Sequence, residues 1–219
     1  MRVILLLAIS FFCVKLSSAQ FQRKDWSKGA YNDLQGNRHA GYLCWTAPDL
    51  TSEVTKTLIY FKNDVKDKEL QVDPISLHSF IIQRDNYGII DSFIVSHNPL
   101  FVQKPVIEVL ASRNQVKLYR SFSFVMSKSV RWADGRVTPA SKVMHYDYYF
   151  GPNDSQLTVL GENNFSEAMQ KVVADNAGII TQIKNKELEF KDIESLLFYY
   201  RYNSFPPPSL PAPKKDSTR

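Results

Sequence analysis

Cysteine is nearly absent. Two in 219 residues, Cys13 and Cys44, supply neither a disulfide framework nor a four-cysteine zinc site. Long apolar runs are missing as well: no internal stretch approaches the roughly 18 residues that mark a membrane-spanning helix. Charge of one sign is also missing. The 27 basic and 22 acidic residues leave only +5, which gives no electrostatic footprint for nucleic acid. The motifs that carry common chemistries are absent too, with no H-E-x-x-H, C-x-x-C, G-x-S-x-G, P-loop or G-x-G-x-x-G, so no cofactor is implied. The four histidines, His39, His78, His97 and His145, stand far apart without metal-ligand spacing, and no metal is expected. What is present is apolar and aromatic: 44% hydrophobic and 13% aromatic residues exclude a disordered or low-complexity chain.

Residues 1–19 read as a secretory signal. Arg2 gives a positive start, Val3 to Val14 an apolar stretch, and Ser17 and Ala19 the small residues before cleavage between Ala19 and Gln20. A lipoprotein signal ending at Cys13 fits less well, because Phe12 stands where a small residue is needed. Cleavage would remove Arg2, Lys15 and Cys13, lower the net charge from +5 to +3 and leave Cys44 alone. Cys44 sits in the apolar run Tyr42-Leu43-Cys44-Trp45, which suits a buried small hydrophobe; a nucleophile or an intermolecular disulfide is the sharper alternative.

Residues 20–38 are polar and turn-rich, and read as a lead-in segment. From 39 to 161 short apolar runs alternate with turn residues. Strands are expected over 39–47, 54–61, 69–73, 91–96, 106–111, 115–120, 122–127, 142–150 and 155–160, with 75–82 ambiguous between strand and helical turn. After Gly161 the period becomes helical. Asn164 with Glu167 suggests a capping box ahead of Phe165, Met169, Val172 and Val173. Asp175-Asn176 can stop that helix and cap a second short one, and Asp192 can cap a third, with Asn203 a stop. The mixed charges of 184–194 suggest a solvated connection. Residues 204–219 hold five prolines and are expected to form an extended, mobile tail. Asp216-Ser217-Thr218 there resembles a short O-glycosylation signal. Asn153-Asp154-Ser155 and Asn164-Phe165-Ser166 fit the N-glycosylation triplet. The expectation is a single α+β domain over 39–203, mostly antiparallel β over 39–161, followed by two or three short helices packed on it over 162–203.

Chemistry is sparse. On the strand 142–150, His145 and Asp147 project from one face, and a carboxylate beside an imidazole is how a general base is set up. The same pattern is equally that of a polar face of a half-buried strand. Two aromatic clusters, one with Tyr146 and Tyr149 and one with Tyr199, can grip a ligand through ring and hydroxyl or pack the last helix on the sheet.

A set of local features is similar to small exported proteins of Bacteroidota that carry no assigned function. These are Tyr149-Phe150-Gly151, Asn163-Asn164-Phe165, Ala174-Asp175, Phe190-Lys191-Asp192-Ile193 and Tyr202-Asn203, with Gly41-Tyr42-Leu43, Ile59-Tyr60-Phe61 and Val116-Lys117-Leu118-Tyr119 upstream. The resemblance implies an exported β domain followed by short helices, and brings no catalytic residues. Three functions stand open: a non-enzymatic cell-envelope module binding a partner protein or glycan; a hydrolase-type enzyme using His145 and Asp147; and a carrier of an apolar ligand. Periplasm, outer surface and secretion are all compatible with the signal.

Overall fold

The computed structural model describes residues 25–51, 57–83 and 90–202. The cleavage site at Ala19 and Gln20, the stop at Asn203 and the proline-rich tail lie outside the described residues. The architecture is α+β: a mostly antiparallel ten-stranded sheet followed by three C-terminal helices.

The strands in chain order are β1 (Ser27–Asp33), β2 (Arg38–Thr46), β3 (Leu58–Lys62), β4 (Leu70–Val72), β5 (Leu77–Gln83), β6 (Ile90–Val95), β7 (Val106–Ala111), β8 (Lys117–Met126), β9 (Val130–Arg131), β10 (Val137–Thr138), β11 (Lys142–Gly151) and β12 (Thr158–Val159). The sheet runs β12-β11-β8-β7-β6-β5-β1-β2-β3-β4, and β9 with β10 forms a separate hairpin. The helices are α1 (Phe165–Val172), α2 (Ala177–Lys184) and α3 (Ile193–Tyr202).

Several expectations are corrected. The supposed lead-in contains β1, which lies inside the sheet between β2 and β5. The runs 115–120 and 122–127 are one strand, β8, with Ser121 fully buried at its middle. The ambiguous stretch 75–82 is resolved by Asp73, whose side chain caps a short 3-10 turn at Pro74–Ser76 before β5 begins. Asn164 does not cap α1. Its amide instead accepts from Gly161 N–H and donates to the Val159 carbonyl, tying the helix start back to β12. Asn176 does cap α2, accepting from Ile179 N–H at 3.0 Å. Asp192 closes the turn ahead of α3 by accepting from Glu189 N–H.

The sheet is strongly curled. Five steps at ~4.8 Å separate β2 from β8, roughly 24 Å if flat, yet the rings of Trp45 on β2 and Phe122 on β8 are 5.2 Å apart. The curl is fastened at the backbone. The β7 pairing of β8 stops at Ser121, and beyond it Phe124 donates to Pro48 O and accepts from Leu50 N–H. The concave face holds an aromatic core in which Trp45, Phe80, Phe93 and Phe122 pack ring on ring. At the other end of the same strands, Leu110, Leu118 and Tyr148 pack against Phe165, Met169, Ile179 and Leu196 of the helices. A smaller cluster of Phe101, Ile107, Tyr119 and Tyr149 covers the convex face.

Candidate functional site

The convex face is shaped by the β6–β7 connection. Asn98 caps a 3-10 turn, Pro99–Phe101, and this plants Phe101, fully buried, edge-on to the Tyr149 ring at 4.8 Å. On one side of this strap Lys104 reaches β11. On the other, the Asn98 amide donates to the Asp154 carbonyl at 3.1 Å and holds the β11–β12 loop in place.

The Lys104 side contains the histidine and carboxylate expected from sequence. His145 Nε2 lies 3.1 Å from Asp147 Oδ1, so the two do meet on one strand face. Asp147 Oδ2 accepts from Lys104 Nζ at 2.5 Å and from Ser121 Oγ at 3.4 Å. Burial works against ionisation of Asp147, but Lys104 and then His145 outweigh it and hold the carboxyl below the ordinary carboxylate range. The carboxylate is therefore neutralised mainly by lysine. Among the described residues no serine hydroxyl is bonded to the imidazole, so the pair has a base and an orienting group but no positioned nucleophile.

Beyond the strap, the same face opens into a groove of about 720 Å³, within the range that takes small ligands. Tyr119 lies on its lining with its ring buried, 2% exposed, and its hydroxyl has no hydrogen-bond partner among the described residues. Burial pushes that phenol up to about 12, and the charge of Asp154 adds to the shift. Lys117 and the Asp154 carboxylate border the groove without an ion pair among the described residues, and His78 and His97 stand exposed at its rim. Ile94 and Val109, on adjacent strands, give a half-buried apolar shelf. Donors, an acceptor and a shelf thus converge in one place. Sequence reasoning missed this set because its members come from five separate segments, and no local spacing links them.

The concave face carries a second polar cluster, between the aromatic core and the helices. Glu108 on β7 is fully buried and receives Arg120 of β8 through Nε at 3.0 Å and Nη2 at 2.7 Å. Arg120 Nη1 donates to Glu194 of α3 at 2.6 Å, and the Tyr148 hydroxyl donates to the same carboxylate. Arg201, also on α3, lies 3.7 Å from Glu108 and 3.8 Å from Asp91. Burial raises Glu108 despite Arg120, whereas Glu108 and Glu194 keep Arg120 firmly cationic against its own burial. Glu194 therefore serves as a docking residue, although its segment reads as a solvated connection. A signal for this cluster does exist in the sequence: Glu108 interrupts the apolar run Val-Ile-Glu-Val-Leu on the face it shares with Leu110. No group of three possible metal ligands gathers among the described residues.

The three tyrosines named from sequence part company. Tyr146 is 43% exposed, with Arg120 over its ring at 5.0 Å. Tyr149 is 7% exposed and packs on Phe101, so it belongs to the core and not to a ligand surface. Tyr199 is half-buried against the helix core. Cys44 is buried, 5% exposed, which suits the hydrophobe reading. None of the described helices is long and apolar enough to cross a membrane. Comparison of the chain with protein-family models, curated proteins and solved structures finds no match.

Proposed function

We propose that the chain is an exported cell-envelope binding module, non-enzymatic, that holds a small hydroxyl-rich ligand such as a glycan unit in the convex-face groove. The observation that carries this reading is Tyr119. Its ring is held in the core while its hydroxyl meets the groove without a protein partner among the described residues, free to bond a ligand in place of water, and Lys117 and Asp154, without ion pairs among the described residues, stand beside an apolar shelf. Alternating donors and acceptors over a shelf match the hydroxyls and the apolar face of a sugar ring. The signal-like N-terminus and the resemblance to exported Bacteroidota proteins support the placement. The carrier reading gains nothing from the concave face, where the protein's own rings occupy the interior in mutual contact.

Calorimetric titration of the purified chain with a panel of mono- and oligosaccharides tests the reading. A hit should weaken about fivefold or more in Tyr119→Phe, the loss of roughly one hydrogen bond, with the thermal midpoint retained. No hit, or a hit indifferent to Tyr119→Phe, removes the groove as a glycan site.

A second reading rests on the 3.1 Å contact of His145 with Asp147: a hydrolase-type enzyme whose imidazole activates water. Its test is an esterase and glycosidase screen in which His145→Ala abolishes turnover. Turnover that survives the substitution, or none at all, ends it.

A further inference from the structure

Between β8 and β11 the chain leaves the sheet and returns through β9 and β10. The excursion is a tight hairpin: Trp132 N–H donates to Arg136 O at 2.8 Å, Gly135 N–H donates to Trp132 O at 3.0 Å, and Gly135 takes φ +85°. Every residue from Lys128 through Val143 is exposed. The hairpin therefore has no core of its own, and a two-stranded ribbon alone is marginal in water. It nevertheless presents three large apolar side chains to solvent. Val130 is 46% exposed, Trp132 54% and Val137 53%. Register puts Val130 opposite Thr138 and Arg131 opposite Val137, so both faces of the ribbon carry an apolar side chain. The indole is oriented, with Trp132 Nε1 donating to Thr138 Oγ1 at 3.0 Å.

Charge is concentrated in the same place. Lys128, Arg131, Arg136 and Lys142 face a single acid, Asp134, so this short excursion carries +3 of the chain's +5. Arg136 is paired with Asp134, and Lys142 with Asp49 in the segment after β2. Lys128 and Arg131 have no ion pair among the described residues. An exposed tryptophan with flanking valines and unpaired cations is the chemistry of an interfacial anchor: the indole sits at headgroup depth, and the cations meet anionic phosphates.

We propose that the β9–β10 hairpin docks the protein on an anionic lipid surface, with Trp132, Val130 and Val137 at the headgroup–acyl boundary and Lys128 and Arg131 on the phosphates. The proposal is independent of the groove, which lies on residues the hairpin does not use.

The test is co-sedimentation of the full chain with vesicles of phosphatidylcholine alone and of phosphatidylcholine mixed with phosphatidylglycerol. Binding to the mixed vesicles should exceed binding to the neutral ones and fall as salt rises. Arg131→Glu and Lys128→Glu should each weaken it by roughly an order of magnitude. Trp132→Ser should weaken it severalfold at equal salt. Thermal midpoints should stay at the wild-type value in all three variants, because none of these side chains packs on the body. Equal binding to both vesicle types, no sedimentation with either, or binding that survives all three substitutions overturns the proposal. Competition by soluble glycerophosphate as effective as by vesicles also overturns it, and marks a free-anion site instead.

Discussion

Single residues on the convex face are set by what holds them. Asp147 illustrates this best. Its two oxygens go to different partners, His145 on one side and Lys104 with Ser121 on the other. The ionised carboxylate is what these partners stabilise, and its folded-state pKa is depressed. The sign follows by linkage: the contribution is fully present above about pH 4, the unfolded value, and is lost as pH falls below that through the depressed folded value. Asp147→Asn should therefore lower stability by about 1.5 kcal/mol at neutral pH, and the gap to wild type should close as the pH is taken down through 4. Thermal melts of both proteins across pH 2–7 read this directly, and a gap that persists unchanged at the acid end contradicts it. The pair itself was legible in sequence, since period two alone puts His145 and Asp147 on one face. Lys104, 43 residues away, was not. It arrives through a loop whose course depends on Phe101 finding its place between strands.

At the scale of elements, the curl depends on places where the backbone approaches closely. Gly29 and Gly41 face each other across β1 and β2. A Cβ on Gly41 would stand 2.1 Å from the Lys62 carbonyl oxygen and 2.8 Å from the Phe61 ring, and one on Gly29 would stand 2.2 Å from the Ile81 carbonyl. Gly41→Ala should thus cost about 1–3 kcal/mol through overpacking, while Gly161→Ala, with nothing within 4 Å of the new carbon, should leave the denaturation midpoint near wild type. Similar midpoints for the two variants would count against this account. The same geometry explains why β1 escaped the sequence reading. Its residues Ser27-Lys-Gly-Ala-Tyr-Asn-Asp33 are small or polar because neighbours crowd both faces. Ala30 and Tyr31 are buried, on opposite faces, and no alternation of large apolar residues marks a strand. The strands with long side chains, β7 and β11, were legible nearly to the residue, β11 through its period of two and β7 as a short apolar run broken only by Glu108. Helix caps were mixed for a related reason. Asn176 acts locally as its spacing suggests, whereas Asn164 is drawn into bonds with β12 that only the folded chain supplies.

For the whole molecule, the open question is how the aromatic core and the helix core act as one unit. They share β7, β8 and β11 but sit at opposite ends of them, with the Asp91, Glu108, Arg120, Arg201 and Glu194 belt between. Apolar burial stabilises each end: an aromatic side chain buries 150–250 Å², worth roughly 4–6 kcal/mol at about 25 cal/mol/Å². The buried ion pairs add little net stability, because desolvation offsets most of their attraction. Their role is positional. Arg120 bonds β7 through Glu108 and α3 through Glu194 at hydrogen-bond distance, whereas Arg201 of α3 reaches Glu108 and Asp91 only at 3.7 and 3.8 Å, so Arg120 is the closer charged tie between helix and sheet. Glu194 is largely exposed, but removing Arg120 strands the fully buried Glu108 with only the more distant Arg201 beside it, at about 3–5 kcal/mol. Arg120→Met should therefore destabilise far more than its lost contacts suggest. The double replacement Arg120→Met with Glu108→Leu should recover a large part of the loss, because it removes the stranded carboxylate as well as the cation. Hydrogen exchange separates the two ends. In Arg120→Met, amides of 193–202 should exchange much faster relative to β1 and β5, while in the wild-type chain both ends should open with similar free energy. If the single variant exchanges uniformly faster along the whole chain, the belt acts on global stability and does not hold the helices in place. If the double variant is no more stable than the single one, the penalty does not come from stranded charge.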